Sequence, residues 1–246
     1  MTRIVIIGAT SAIAEHCARQ WIASAEDIVL VGRNLAALSA VARDLRVRNS
    51  QASIDVMVSG LVVTGEIESV AEAIFQRGRI DIVLIAHGYL PQQESCQHDL
   101  ALCGEAMVVN GISPVLWCEA FATRLEKAGR GTLAVIGSVA GDRGRKSNYV
   151  YGAAKGLIAR YVEGLRHRLA ASKVRVILVK PGPTDTPMTA ALKEDGGRLA
   201  NPRDVARTIV DGIATGKSTI YAPRKWAWIM MVVRHLPESI FNQLDI

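Results

Sequence analysis

Seven short apolar runs, each followed by a stretch with helical spacing, constrain this chain more than any other feature. The runs fall near 3–7, 28–32, 53–58, 80–86, 132–137, 174–179 and 218–221; Arg3-Ile4-Val5-Ile6-Ile7 is β-branched and nearly continuously apolar. A strand that hides one face alternates apolar with polar residues, whereas a continuous run belongs to a strand covered on both faces. Helical patterns fit near 12–24, 35–47, 66–77, 98–127, 148–171 and 202–214. This alternation predicts an α/β fold: one doubly wound parallel sheet with helices on both faces. The 246 residues suffice for one such domain, and no repeat, low-complexity tract or Pro/Gly-rich linker divides them. Pro114, inside the 98–127 pattern, predicts a kink or break there.

The first run leads into Gly8-Ala9-Thr10-Ser11-Ala12-Ile13-Ala14-Glu15 and then an Ala-rich helical pattern. A strand, a tight glycine turn and a helix N-terminus make an anion site, because free N–H groups and the helix dipole face the turn. A dinucleotide pyrophosphate would lie there; an ordinary βα turn is the plainer alternative. The second run ends in Gly32-Arg33-Asn34. An acidic residue at that point would accept hydrogen bonds from the ribose of NAD(H), while a guanidinium suits a 2′-phosphate, so NADP(H) is expected over NAD(H). Farther on, Tyr151-Gly-Ala-Ala-Lys155 puts a phenol and an ammonium one helical turn apart. A nearby cation favours the phenolate, and a tyrosine tuned downward in this way can exchange a proton with a carbonyl or an alcohol. Tyr149 is the rival phenol, but its i+4 partner is Ala153, which leaves it as pocket wall. Ser138 ends the fifth run, at the carboxyl edge where open α/β sheets bind ligands, and could orient a substrate oxygen. Asn110, followed by Gly111 in mid-helix, is a local cost that points either to a site or to a simple break before Pro114.

Together, Gly8-x-x-Ser11, Asn110, Ser138, Tyr151-x-x-x-Lys155 and Pro181-Gly182 with Thr186 resemble the short-chain dehydrogenase/reductase family in order and spacing, over about residues 3–220. The resemblance implies a Rossmann-type domain and a catalytic set of Asn110, Ser138, Tyr151 and Lys155. It gives Asn110 a water in a proton relay to the lysine, Lys155 a bond to the nicotinamide ribose, and Thr186 the carboxamide. By the same resemblance Gly8, Thr10, Ser11, Ala12, Ile13, Arg33, Ala86, His87, Gly88, Tyr151, Lys155, Pro181, Gly182, Thr184 and Thr186 would line the cofactor. The chain departs from the family at Ala12 and Ala14, where glycines are usual, around Ser59-Gly60, and at Ile85-Ala86-His87-Gly88. Residues 188–200, with Gly196-Gly197, read as a substrate lid.

Within the family, Gly141-Asp142-Arg143-Gly144-Arg145-Lys146-Ser147-Asn148 and the tail from Tyr221 resemble the decaprenylphosphoryl-2-keto-pentofuranose reductases. That closer resemblance implies reduction of a polyprenyl-phosphate-linked 2-keto pentofuranose supplied by a flavin-dependent oxidase. Arg143, Arg145, Lys146 and Tyr149 become candidate substrate residues. A reductase of another keto-sugar or lipid ketone, or a non-catalytic dinucleotide-binding scaffold, remains open. The family often forms dimers or tetramers through helices corresponding to 98–127 and 148–171, so a homo-oligomer is expected.

The 222–246 tail is basic and aromatic. Trp226-Ala227-Trp228-Ile229-Met230-Met231-Val232-Val233 is too short to span a bilayer, but its flanking cations and paired tryptophans fit an interfacial segment or a dimer surface. A net charge of +6 fits attraction to anionic lipid or a phosphorylated substrate. No basic helix with interleaved aromatics suggests nucleic acid, and Cys17, Cys96, Cys103 and Cys118 lack metal spacing. The first strand begins at once, with no leader pattern, so a cytoplasmic location is expected, peripheral to the inner membrane face if the tail binds lipid.

Overall fold

A computed structural model of the chain describes residues 2–194 and 196–244; Asp195 of the expected lid and residues 245–246 of the tail lie outside the described residues. Strands β1 (Arg3–Ile7), β2 (Asp27–Gly32), β3 (Ser53–Val58), β4 (Ile82–Ile85), β5 (Gly131–Ile136), β6 (Val174–Pro181) and β7 (Thr219–Ala222) form one sheet. Their order is β3-β2-β1-β4-β5-β6-β7, and every pair is parallel. The helices in chain order are α1 (Ala12–Trp21), α2 (Leu35–Arg48), α3 (Thr64–Gln76), α4 (Gln93–His98), α5 (Leu100–Met107), α6 (Ser113–Ala128) and α7 (Tyr149–Arg168). They continue with α8 (Ala190–Glu194), α9 (Pro202–Ala214), α10 (Lys225–His235) and α11 (Glu238–Phe241).

The continuous apolar runs divide between two cores because strand side chains alternate in direction. Ile4, Ile6, Ile28 and Leu30 pack with α1, α2 and α9, whereas Val5, Ile7, Val29 and Val31 pack with α3, α6 and α7. Each such side chain contributes about 1.5–3 kcal/mol by leaving water, which is why no polar residue interrupts Ile4–Ile7 or Ile28–Val31. After β3 the chain crosses to the far side of β1, so the carboxyl ends of β1 and β4 open onto a crevice at the point where strand order reverses.

The 98–127 helix is resolved differently from the expectation. Residues 100–128 stay helical, but as α5, a π-helical turn over Val108–Ile112, and α6. Pro114 has no N–H to offer the Asn110 carbonyl, and the chain answers by widening the preceding turn rather than breaking. By length and composition this run could cross a membrane. Trp117, Phe121 and Leu125 are nevertheless buried against the sheet, as in a core helix. The tail, expected as an eight-residue interfacial segment, is the 11-residue helix α10.

Candidate active site

Four side chains converge at the carboxyl ends of β4 and β5. Ser138 follows β5 and begins the short 3₁₀ turn Val139–Gly141, its Oγ accepting from the Ala140 N–H at 3.1 Å. The serine therefore caps this turn, and its hydroxyl stands near enough to the Tyr151 phenol to favour the phenolate. Tyr151 lies in the first turn of α7, and Lys155, one turn on, is buried with Nζ donating to the Ile136 carbonyl at 3.1 Å. Asn110 is fully buried; Oδ1 accepts from the Tyr89 N–H at 2.9 Å and Nδ2 donates to the Ala106 carbonyl at 3.0 Å.

The electrostatics correct one expectation. Lys155 was to bring the Tyr151 pKa down, yet its Nζ lies 5.6 Å from the ring centroid and is turned to the Ile136 carbonyl. Burial instead pushes Tyr151 up to about 12, with the nearby Ser138 hydroxyl pulling the other way. Burial also draws Lys155 down to about 8. At neutral pH the site thus holds a protonated phenol beside a cation, the state needed to give a proton to an oxygen.

A cavity of about 320 Å³ surrounds the pair and includes Ser11, Ile13, Ala86, His87, Gly88, Pro181, Gly182, Thr184 and Thr186. A second, of about 210 Å³, adjoins it and includes Gly8, Thr10, Ser11, Arg33, His87 and Gly88. Gly8 has φ +79°, and a Cβ there would stand 2.5 Å from the His87 N atom, so only glycine fits this turn. Ser11 caps α1 by position but makes no side-chain cap bond, leaving the first-turn N–H groups of α1 without that partner. Ala12, expected among the cofactor contacts, starts α1 and lines neither cavity. Ala14 is fully buried under the sheet, where its methyl adds to packing.

His87 lies between the two cavities. Its Nε2 is 2.8 Å from Ser113 Oγ, which itself donates to the Leu61 carbonyl. Ser113 must therefore accept from Nε2–H, which leaves Nδ1 bare; that atom is buried and has no partner. Desolvation holds the ring neutral by lowering its pKa to about 3. Leu61, which supplies the carbonyl, adopts a left-handed φ of 67° beside the second cavity.

The four substrate candidates separate. Arg145 lines the larger cavity; Lys146 and Tyr149 are exposed and outside its lining. Arg143 is a correction. Its guanidinium turns away from the cavity, donates to the Val233 and Leu236 carbonyls at 2.6 Å each, and stacks 3.8 Å from the Phe241 ring centroid. The last carbonyls of a helix lack intrahelical donors and carry the negative end of its dipole, so α10 outcompetes the cavity for this cation.

Two features escaped sequence reasoning. Lys180, near the end of β6, makes a buried ion pair with Asp142, and the Tyr221 hydroxyl donates to the other Asp142 oxygen at 2.9 Å. A lysine inside the apolar run Val-Ile-Leu-Val-Lys180-Pro was the available signal, since a buried charge demands a partner. The other is Trp226 of α10, whose indole lies on Gly182; a Cβ there would stand 2.0 Å from Nε1. Thr184 fixes the same loop by donating to the Gly182 carbonyl at 2.9 Å, while Thr186 caps the turn Pro187–Thr189 that precedes α8.

A family model described as short chain dehydrogenase matches residues 2–197. This chain belongs to the short-chain dehydrogenase family and is an oxidoreductase. An uncharacterized oxidoreductase of Streptomyces coelicolor is 30% identical over 245 residues, covering 98% of this chain and 95% of the relative. One from Mycobacterium tuberculosis is 28% identical, covering 98% and 96%. Among solved structures, a short-chain dehydrogenase from Sphingobium yanoikuyae in complex with NADPH superposes with a TM-score of 0.84 at 20% identity, over 99% of this chain and 96% of that one. A bulky-bulky ketone specific alcohol dehydrogenase from Comamonas testosteroni gives 0.81 at 19%, over 99% and 95%.

Proposed function

We propose that this enzyme reduces a ketone to a secondary alcohol with NADPH, and that the grouping of Ser138, Tyr151 and Lys155 on one cavity carries the reading. The residues fit the cofactor: uncapped N–H groups of α1 for the pyrophosphate, Arg33 for the 2′-phosphate, and the bare His87 Nδ1 for a ribose hydroxyl. NADPH, when bound, supplies the hydride that goes to the carbonyl carbon. Ser138 holds the carbonyl oxygen against Tyr151, and the phenol gives that oxygen its proton as the alcohol forms. Lys155 keeps a positive charge beside the phenolate left behind. The Asn110 side chain is committed to Tyr89 and Ala106, so a relay water would take the Asn110 carbonyl, which Pro114 cannot serve.

The finer reading follows the sequence resemblance: a polyprenyl-phosphate-linked 2-keto pentofuranose, supplied by a flavin-dependent oxidase at the cytoplasmic face of a membrane. The outward side of α10 supports membrane contact, since Trp228, Ile229, Met231 and Val232 are exposed and the helix has no acidic residue. The decisive experiment follows NADPH consumption with that keto-sugar lipid, comparing wild type with Tyr151→Phe. Turnover that drops by about a hundredfold or more in the variant supports the assignment; equal turnover removes Tyr151 as the acid.

A further inference from the structure

Tyr151 stands in the first turn of α7, where a helix frays most readily because its first N–H groups have no intrahelical partner. Lys155, one turn on, is pinned to the Ile136 carbonyl, whereas the placing of Tyr151 depends on how that first turn is held. The cap that holds it comes from outside the helix. Asn148 occupies the N-cap position, where an asparagine oxygen ordinarily accepts from the helix's own N–H groups, yet it makes no such bond. Gln93 of α4, 57 positions before Val150, caps instead, its Oε1 accepting from the Val150 N–H at 3.0 Å. The exchange leaves two buried atoms without a partner, Asn148 Oδ1 and Gln93 Nε2. Unpaired buried polar atoms are costly, so stability alone would favour the helix capping itself. Local rules broken at such a cost mark functional positions.

The borrowed cap adds a tie that Asn148 could not supply. α4 is six residues long, and its buried Cys96 belongs with Val150 and Ala106 to a small apolar cluster. Gln93 and Cys96 are three positions apart and share one helix face. α4 thus grips Val150, the residue before Tyr151, through both its backbone and its side chain. The segment leading into α4 is held at its other end by the catalytic group. A Cβ at Gly88 would stand 2.8 Å from Asn110 Oδ1 and 3.5 Å from Lys155 Nζ. The next N–H, of Tyr89, donates to Asn110 Oδ1 at 2.9 Å. Residues 88–96 therefore link Asn110 and Lys155 to the turn that carries the phenol.

We propose that Gln93 is a positioning residue: by capping α7 at Val150 it sets where the Tyr151 hydroxyl stands relative to the oxygen that receives its proton. Gln93 lies outside the lining of both cavities and acts through Tyr151 alone. The proton transfer rests on the reductase reading; the hold on Tyr151 does not, and can be measured without turnover.

The experiment compares wild type with Gln93→Met and Gln93→Ala, which remove the acceptor, and with Gln93→Glu, which keeps one. Gln97→Met makes the same change at an exposed position of α4. Each protein carries tyrosine isotopically labelled at the phenol carbon, and the Tyr151 resonance is assigned by its loss in Tyr151→Phe. Gln93→Met and Gln93→Ala should move or split that resonance and speed hydrogen exchange at the Val150 N–H. Gln93→Glu and Gln97→Met should leave both as in wild type. Turnover is followed as NADPH oxidation with trifluoroacetophenone, an activated ketone. In Gln93→Met kcat should fall about ten- to a hundredfold, as expected for a displaced reacting group, with KM and NADPH affinity unchanged. The solvent deuterium isotope effect on kcat should rise with it, because the proton now leaves Tyr151 more slowly, and Gln93→Glu should restore both. Placed in Tyr151→Phe, the Gln93→Met change should cost nothing further. An unmoved Tyr151 resonance overturns the proposal, as does an equal loss of kcat with and without the phenol hydroxyl; neither touches the reductase reading. A moved resonance in a protein whose wild type reduces neither trifluoroacetophenone nor the keto-sugar lipid keeps the hold on Tyr151 and sinks the reductase reading.

Discussion

Replacing Asp142 by asparagine should unlock the wall between Ser138 and the loop that begins at Pro181. Asp142 and Lys180 bury their side chains to 3% and 8% exposure, and Tyr221 donates to the same carboxylate. Removing one member of such a pair strands a buried ammonium and costs about 3–5 kcal/mol, more than the pair itself contributes. For a chain of this length each kcal/mol moves the melting temperature by about 2–4 °C, so Asp142→Asn should lower it by roughly 6–20 °C. The double variant Asp142→Asn, Lys180→Met removes the stranded charge and should recover more than half of that loss. Differential scanning calorimetry at one pH and salt concentration reads both numbers. A single variant within about 2 °C of wild type, or a double variant no better than the single, would refute the account of this pair.

Further outcomes are expected elsewhere in the molecule. Arg33→Asp should weaken NADPH binding by about ten- to a hundredfold and spare NADH, as fluorescence titration of both cofactors will show. The reductive kcat/KM of the enzyme should fall as pH rises through about 8, where Lys155 loses its proton, while Tyr151 keeps its own to about 12; a pH profile that stays flat to 10 contradicts this. The same lysine has a folded-state pKa below its unfolded value of 10.5, so the unfolded chain binds more protons between about 8 and 10.5. That contribution makes stability rise with pH across this window, and urea titrations of Lys155→Met should lack the rise. Sedimentation with anionic vesicles should capture the wild type and release Trp228→Ser at raised salt; capture that is identical for both, or a salt-insensitive dimer, argues for a protein partner on α10.

The fold was readable because its determinants are local. Each β-branched run became a strand within two residues of its expected position, since burial on both faces leaves no other use for such a segment. Helical spacing and strand ends picked out Ser138, Tyr151 and Lys155, and the fold brings these three to one cavity. What escaped depends on distant partners. Arg143 and Arg145 are chemically alike and two residues apart, and only the docking of α10 some 90 positions later separates their roles. Asp142 and Lys180 meet across 38 positions. The Tyr151 acidity was misjudged because spacing reveals that Lys155 is near but not which way its ammonium points.

Trp226 on Gly182 has a consequence for how such an enzyme can diversify. The family match ends at residue 197, yet the loop at Gly182, proposed to hold the nicotinamide, rests on an indole 29 positions beyond it. On that proposal, part of the mould for the reacting ring would be cast by sequence outside the shared portion. A lineage could retune the pose of that ring, and with it which ketones react, by editing a terminal helix while every catalytic residue stays as it was. For the engineer, the same arrangement makes the chain's end a handle on selectivity and a poor place for a trimmed boundary.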